Sequence, residues 1–131
     1  MNIAARNDFV VHIPPAEMAE AVTATSKALP HGESEIDFAK LTTVAVEGEA
    51  LPRIVGPKAA MFFKKYQIFE VGDEKVGLIL GEVKKIWIDD AAAGVKDGRI
   101  LIDPLKLNPL TRLGETNYAP IGNVFSVARP K

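Results

Sequence analysis

The chain has 131 residues, 47% of them apolar and 25% charged, with a formal charge of -1 and no cysteine. That length suits one domain, residues 1–131, able to bury a core, and the residue balance excludes disordered and fibrous classes. The charge gives no reason to expect nucleic acid or an anionic membrane, and the missing cysteine excludes disulfides, thiol redox chemistry and thiolate metal sites.

Met1 to Arg6 has no long apolar run of the kind a secretion signal carries, and no stretch of about 18 apolar residues follows. A cytoplasmic chain without a membrane partner is the expectation. DFVVHI, Asp8 to Ile13, is a short β-branched and aromatic run stopped by Pro14 and Pro15, as a buried strand would be. From Pro15 the stretch PAEMAEAVTATSKAL predicts a helix, with Met18, Ala21, Val22 and Thr25 on one face and Glu17 and Glu20 near its positive end. Pro30-His31-Gly32 ends it. SEIDFAKL predicts a second, short helix with Ser34 as N-cap.

From Leu41 the residue types turn to strand formers. LTTVAVEG predicts a short strand and ALPRIVGP a connection. Two long apolar arms, AAMFFKKYQIFEV and KVGLILGEVKKIWIDD, are separated only by Gly72-Asp73-Glu74, which predicts an antiparallel hairpin. Both arms carry apolar residues on both faces. The second arm is two-sided: Val76, Leu78 and Leu80 share a parity with Ile86 and Ile88, and Ile79 and Val83 share the other with Trp87. With Gly77 and Gly81 inside, that points to bending or a bulge in a sheet curling toward a barrel. Beyond Asp90 the expectation is loop, with turns at DGRI and DPLKLNPL, one helical turn among them, and a last short strand in GNVFSVARP. The class read from these elements is α+β with an antiparallel, barrel-like sheet.

Most familiar chemistry is missing. His12 and His31 lack the spacing of metal ligands; His12 reads as a hydrogen-bonded strand residue, His31 as a turn residue. There is no Walker A loop, G-x-G-x-x-G or G-x-S-x-G. Asp89 and Asp90 are neighbours on a strand end and point to opposite faces, so they do not pair as acids. The lysine pairs 64–65 and 84–85 read as solvated strand edges. What remains is Trp87 and the tail stretch PLTRLGETNYAPIG with Arg112, Gly114 and Tyr118. An Arg fork, an aromatic ring with a polar tip and a Gly suit a flat anionic cofactor. On composition alone the same three residues more often serve as a core-edge Tyr, an acid-paired Arg and a turn Gly.

The order of segments narrows this choice. NDFVVHI, then AEAVTATSKALPHG, then LGEVKKIWIDD, then DGRI, then LTRLGETNYA and GNVFSVARP resemble the flavin reductase-like, FMN-binding split-barrel family. Its members show a FVVN strand, an ATS helix before LP and Gly, a strand ending G-E-V-x-x-I-H-I-D-D and a late R-L-G-G-x-x-Y-A. The resemblance implies an antiparallel split β-barrel with short flanking helices, a homodimer, FMN as cofactor, NAD(P)H as electron donor, and cofactor contacts from Arg112, Gly114, Tyr118 and Trp87. Family domains begin upstream of Met1, so it also implies that N-terminal barrel strands are missing here, with only Asn2-Ile3 resembling the end of that region. Two positions depart from the family: Trp87 stands where His is common, and Glu115 replaces the second Gly of R-L-G-G. No catalytic acid or base is evident. The implied function is a flavin reductase-like protein setting FMN against a nicotinamide, with a non-catalytic dimerising or ligand-binding remnant, or an FMN electron-transfer protein, as alternatives.

Overall fold

A computed structural model describes residues 2–74 and 76–130. Lys75, with which the second long arm was expected to open, lies outside the described residues, as do Met1 and Lys131. The central unit is an antiparallel sheet in the order β1 (Asp8–Ile13), β4 (Ala59–Val71), β5 (Val76–Ile88). β1 runs against the first half of β4, from Asp8 opposite Lys64 to Ile13 opposite Ala59. β4 and β5 form the expected hairpin, from Val71 opposite Val76 at the tip to Ala59 opposite Ile88 at the base.

The second arm carries the bulge that its two-sided pattern and inner glycines suggested. Phe62 faces Lys85 and Phe63 faces Val83, so Lys84 has no partner; a second irregularity passes over Tyr66 between Lys65 and Gln67. Each extra residue bends its strand and resets which side chains share a face. Gly81 sits between the two irregularities because nothing larger fits: an added Cβ would lie 2.6 Å from the Phe9 ring and 2.9 Å from Phe63. Those two rings stack in parallel with centroids 4.9 Å apart.

The buried core lies at the base of the hairpin, around Ala59, Ala60, Phe62, Ala92 and Pro15. Backbone bonds tie the remainder of the chain to this base. Asp89 N–H donates to Lys58 O, Asp103 N–H to Ala92 O, Ala16 N–H to Asn108 O and Leu110 N–H to Pro14 O, each at 2.9 Å. The stretch before the tail is thus strapped across Pro14 to Ala16, where Pro15 bridges to Pro109.

Several expectations need correction. The helix from Pro15 is a 3₁₀ turn, Ala16–Met18, followed by α2, Ala19–Ala24, and does not reach Leu29. Its hydroxyl residues end it early: Thr25 bonds back to Val22 O at 2.7 Å and Ser26 to Thr23 O at 2.6 Å, competing with the backbone ladder. Preceding these is α1, Asn2–Ala5; α3, Glu35–Phe38, follows with Ser34 as its N-cap. LTTVAVEG pairs only through β2, Thr43–Val44, and the expected connection supplies its partner β3, Arg53–Ile54. The region read as loop holds a second hairpin, β6 (Ala93–Lys96) and β7 (Arg99–Ile102). Asp97 at φ 52° and Gly98 at φ 72° turn it, a two-residue Asp-Gly signal of the strongest hairpin kind. α4, Pro104–Leu107, capped by Asp103, is the helical turn expected in DPLKLNPL. Asp89 is likewise a cap, accepting from Ala91 N–H at 2.8 Å, rather than a solvated strand end. GNVFSVARP forms no strand; Phe125 is 84% exposed and no sheet edge runs beside it.

Candidate functional site

The tail stretch folds as a third hairpin, β8 (Thr111–Gly114) and β9 (Asn117–Ala119). Arg112 lies opposite Tyr118 and Gly114 opposite Asn117, so the three residues singled out from the sequence come together. Leu113 is skipped in the register, the strand bulging toward the turn. Gly114 has φ 107° and Glu115 φ 48°, so the position where the resemblance expects Gly holds a Glu in the left-handed region that favours Gly. Tyr118 is half-buried and its hydroxyl hydrogen-bonds Thr23 Oγ1 at 3.1 Å. The hairpin is therefore pinned to α2 through Thr23 of the VTATS stretch. Arg112 is exposed and, among the described residues, has no carboxylate within 4.0 Å.

Trp87 belongs to a different set of neighbours. On β5 it faces Ala60, and the Arg53 guanidinium lies over its ring, Cζ 3.6 Å from the centroid. Together they line a pocket of about 640 Å³ with Ala45, Val46, Glu47, Gly48 and Lys85. Lys85 is not simply a solvated edge: Nζ pairs with Glu49 at 3.2 Å and donates to Glu47 O. Neither Arg53 nor Lys85 was singled out from the sequence. Nothing local in LPRIVG connects Arg53 with a tryptophan on another strand.

A smaller pocket, about 280 Å³, lies along β1, lined among others by Ile3, Arg6, Phe9, His12, Ile36 and Ile54. His12 joins β1 to β3, its Nε2 accepting from Ile54 N–H at 2.9 Å, the structural role expected for it. Its pKa is lowered, first by burial and then by the charge of Arg53. Because the folded pKa lies below the unfolded one, the unfolded chain takes up the proton more readily as pH falls. This contribution to stability is complete above about pH 6.5, the ordinary histidine value, and is lost as pH falls through the lowered folded pKa. The melting temperature should therefore drop between pH 7.5 and pH 5, and drop less in His12→Gln, whose amide oxygen also accepts from Ile54. Equal drops in both proteins would refute this role.

As to a flavin, the tail hairpin fits in part. Arg112 offers an unspent fork suited to phosphate, and a Cβ added at Gly114 would meet nothing within 4 Å, leaving that backbone open to approach. The Tyr118 hydroxyl is already engaged by Thr23. Among the described residues no cluster of three or more His, Cys, Asp or Glu is placed to hold a metal, and no helix is long and apolar enough to cross a membrane.

The flavin reductase like domain family model matches residues 1–104, ending just before the tail hairpin. An uncharacterised protein of Halalkalibacterium halodurans is 30% identical over 94% of this chain and 59% of its own length. Nitrilotriacetate monooxygenase component B from Bacillus cereus superposes with a TM-score of 0.82 at 28% identity, covering 96% of this chain and 62% of that one. A Shewanella frigidimarina protein assigned as a flavin reductase with a split barrel domain gives a TM-score of 0.85 at 18% identity, over 98% of this chain and 64% of that one. The chain spans about three fifths of the length of these relatives. Its mixed, strand-rich architecture with few short helices is thus that of the split-barrel flavin reductases.

Proposed function

The chain belongs to the flavin reductase-like family, and from that premise we propose that it serves NAD(P)H:FMN oxidoreduction in the cytoplasm by positioning FMN against a nicotinamide ring. The observation that carries this reading is the tail hairpin, where a free Arg112 fork and the open Gly114 backbone stand beside the Tyr118 ring. In the proposal Arg112 and Gly114 hold the anionic end of FMN and Tyr118 orders the hairpin, while Trp87 offers a flat wall on the nicotinamide side. Hydride chemistry is supplied by the two cofactors when bound.

Replacing Arg112 with Ala should weaken FMN binding about tenfold to a hundredfold, the effect of losing a charge-assisted contact of about 1.5 to 3 kcal/mol. The melting temperature should stay unchanged, since the residue is exposed and unpaired. Fluorescence titration of FMN with both proteins checks this; a lowered melting temperature with unaltered FMN affinity would make Arg112 a structural residue.

A second reading, a dimerising or ligand-binding protein without catalysis, is favoured by the outer half of the β4–β5 hairpin. Tyr66, Val76 and Leu78 are 74%, 63% and 53% exposed there. Apolar edges of this length rarely stay uncovered, so a homodimer is proposed under either reading. Sedimentation at micromolar concentration should give twice the chain mass; a monodisperse monomer would count against it.

A further inference from the structure

We propose that the pocket beside the Arg53–Trp87 stack is a binding site for a small aromatic ring carrying a single carboxylate. It rests neither on the flavin nor on the tail hairpin. Three features of the pocket support it.

First, the two cations at the pocket are not alike. Lys85 is satisfied by Glu49 at 3.2 Å and by Glu47 O. Arg53 is half-buried, has no carboxylate within 4.0 Å among the described residues, and makes one long hydrogen bond, Nη1 to Ile54 O at 3.4 Å. With its Cζ 3.6 Å from the centre of the indole, the guanidinium turns its planar fork to the pocket beside the ring, where a carboxylate can meet its N–H donors. Burying part of such a group without an acid partner costs free energy that a bound carboxylate returns.

Second, the surface beside that fork is mainly apolar. Trp87, Ala45 and Val46 provide it, and about 640 Å³ is within the size of small-molecule sites. A planar ring covers this surface at little entropic cost, and an anion without a ring would leave it wet. Third, Glu47 also lines the pocket. Its charge opposes a second negative charge on the ligand, so a monocarboxylate is preferred to phosphate.

Trp87 is the chain's single tryptophan, so its fluorescence reports on this pocket alone. The probes are benzoate, benzamide, acetate and inorganic phosphate, titrated into the whole chain without flavin. Benzoate should change Trp87 emission saturably and bind at least about tenfold more tightly than the other three. Benzamide binding as well as benzoate would show that Arg53 reads no charge. Acetate or phosphate binding as well would show an anion contact that ignores the ring, and a benzoate titration without saturation would show no site; each overturns the proposal. Arg53→Met keeps an unbranched stem over the indole and removes the fork, so it should lose the benzoate preference without a fall in melting temperature. Should that variant fold poorly, Arg53→Lys retains charge without the planar fork and should bind benzoate several-fold more weakly. Unchanged benzoate affinity in either folded variant would refute the assignment.

Discussion

Phe62→Ala should destabilise the protein by about 3 to 5 kcal/mol, the usual cost of removing a buried aromatic side chain and leaving a cavity. Phe62 is 3% exposed on the central strand, between Val10 of β1 and Lys85 of β5. Its companions in the described core are small: Ala59, Ala60 and Ala92, with Pro15 against the base. Among the described residues no neighbouring large side chain is similarly buried. Against a typical total of about 5 to 15 kcal/mol, such a loss removes a large share of the stability. Phe125→Ala is the internal control. At 84% exposure its removal should change stability by no more than about 0.5 kcal/mol. Urea unfolding of both variants decides the matter, and similar losses in the two would mean that the core does not lie at the hairpin base.

The second large effect concerns turnover. NADH oxidation by this chain with excess FMN should be on the order of a hundredfold slower than expected for a firmly held flavin, because displacement of reacting rings by about 1 Å costs about that much. The proposed flavin contacts sit on one exposed hairpin, and Trp87 belongs to another set of neighbours under Arg53. One-sided holding leaves the ring free to tilt. Trp87→His, which restores the residue common in the family, should raise the rate less than about tenfold. Orientation would still be lacking, and an imidazole beside the Arg53 guanidinium would be disfavoured in its protonated form. Steady-state NADH oxidation by the chain, with and without the substitution, provides the measurement. Turnover at tens per second from the unaltered chain would show that the residues present suffice.

The parts legible from the sequence were those whose cause is local. The β4–β5 hairpin follows from two apolar arms around Gly72-Asp73-Glu74, and bending or a bulge in the second arm was signalled by its two-sided pattern with Gly77 and Gly81 inside, whereas the place of the bulge at Lys84 came only from the pairing with β4. Ser34 and the turn at His31 were readable for the same reason. The β6–β7 hairpin was also legible, through Asp97-Gly98, but short arms of mixed polarity hid it. The helix from Pro15 was read too long because its alanines carry high helix propensity, while Thr23, Thr25 and Ser26 turn their hydroxyls back on the backbone.

For the candidate sites the division is sharper. Residue chemistry left Arg112, Gly114, Tyr118 and Trp87 as candidates, and the order of segments, through the family resemblance, pointed them toward a flavin. Strand pairing decided that the first three share a hairpin and that Thr23 pins it. The Arg53–Trp87 stack, the His12 bond to Ile54 N–H and the fit of Gly81 beneath Phe9 all join residues distant in sequence. Local propensity acts over a few residues and the period of a strand over a few more. Which cation lies on which ring depends on how whole strands are placed in space, so the sequence determined the groups available for chemistry and only the tertiary structure decided their partners.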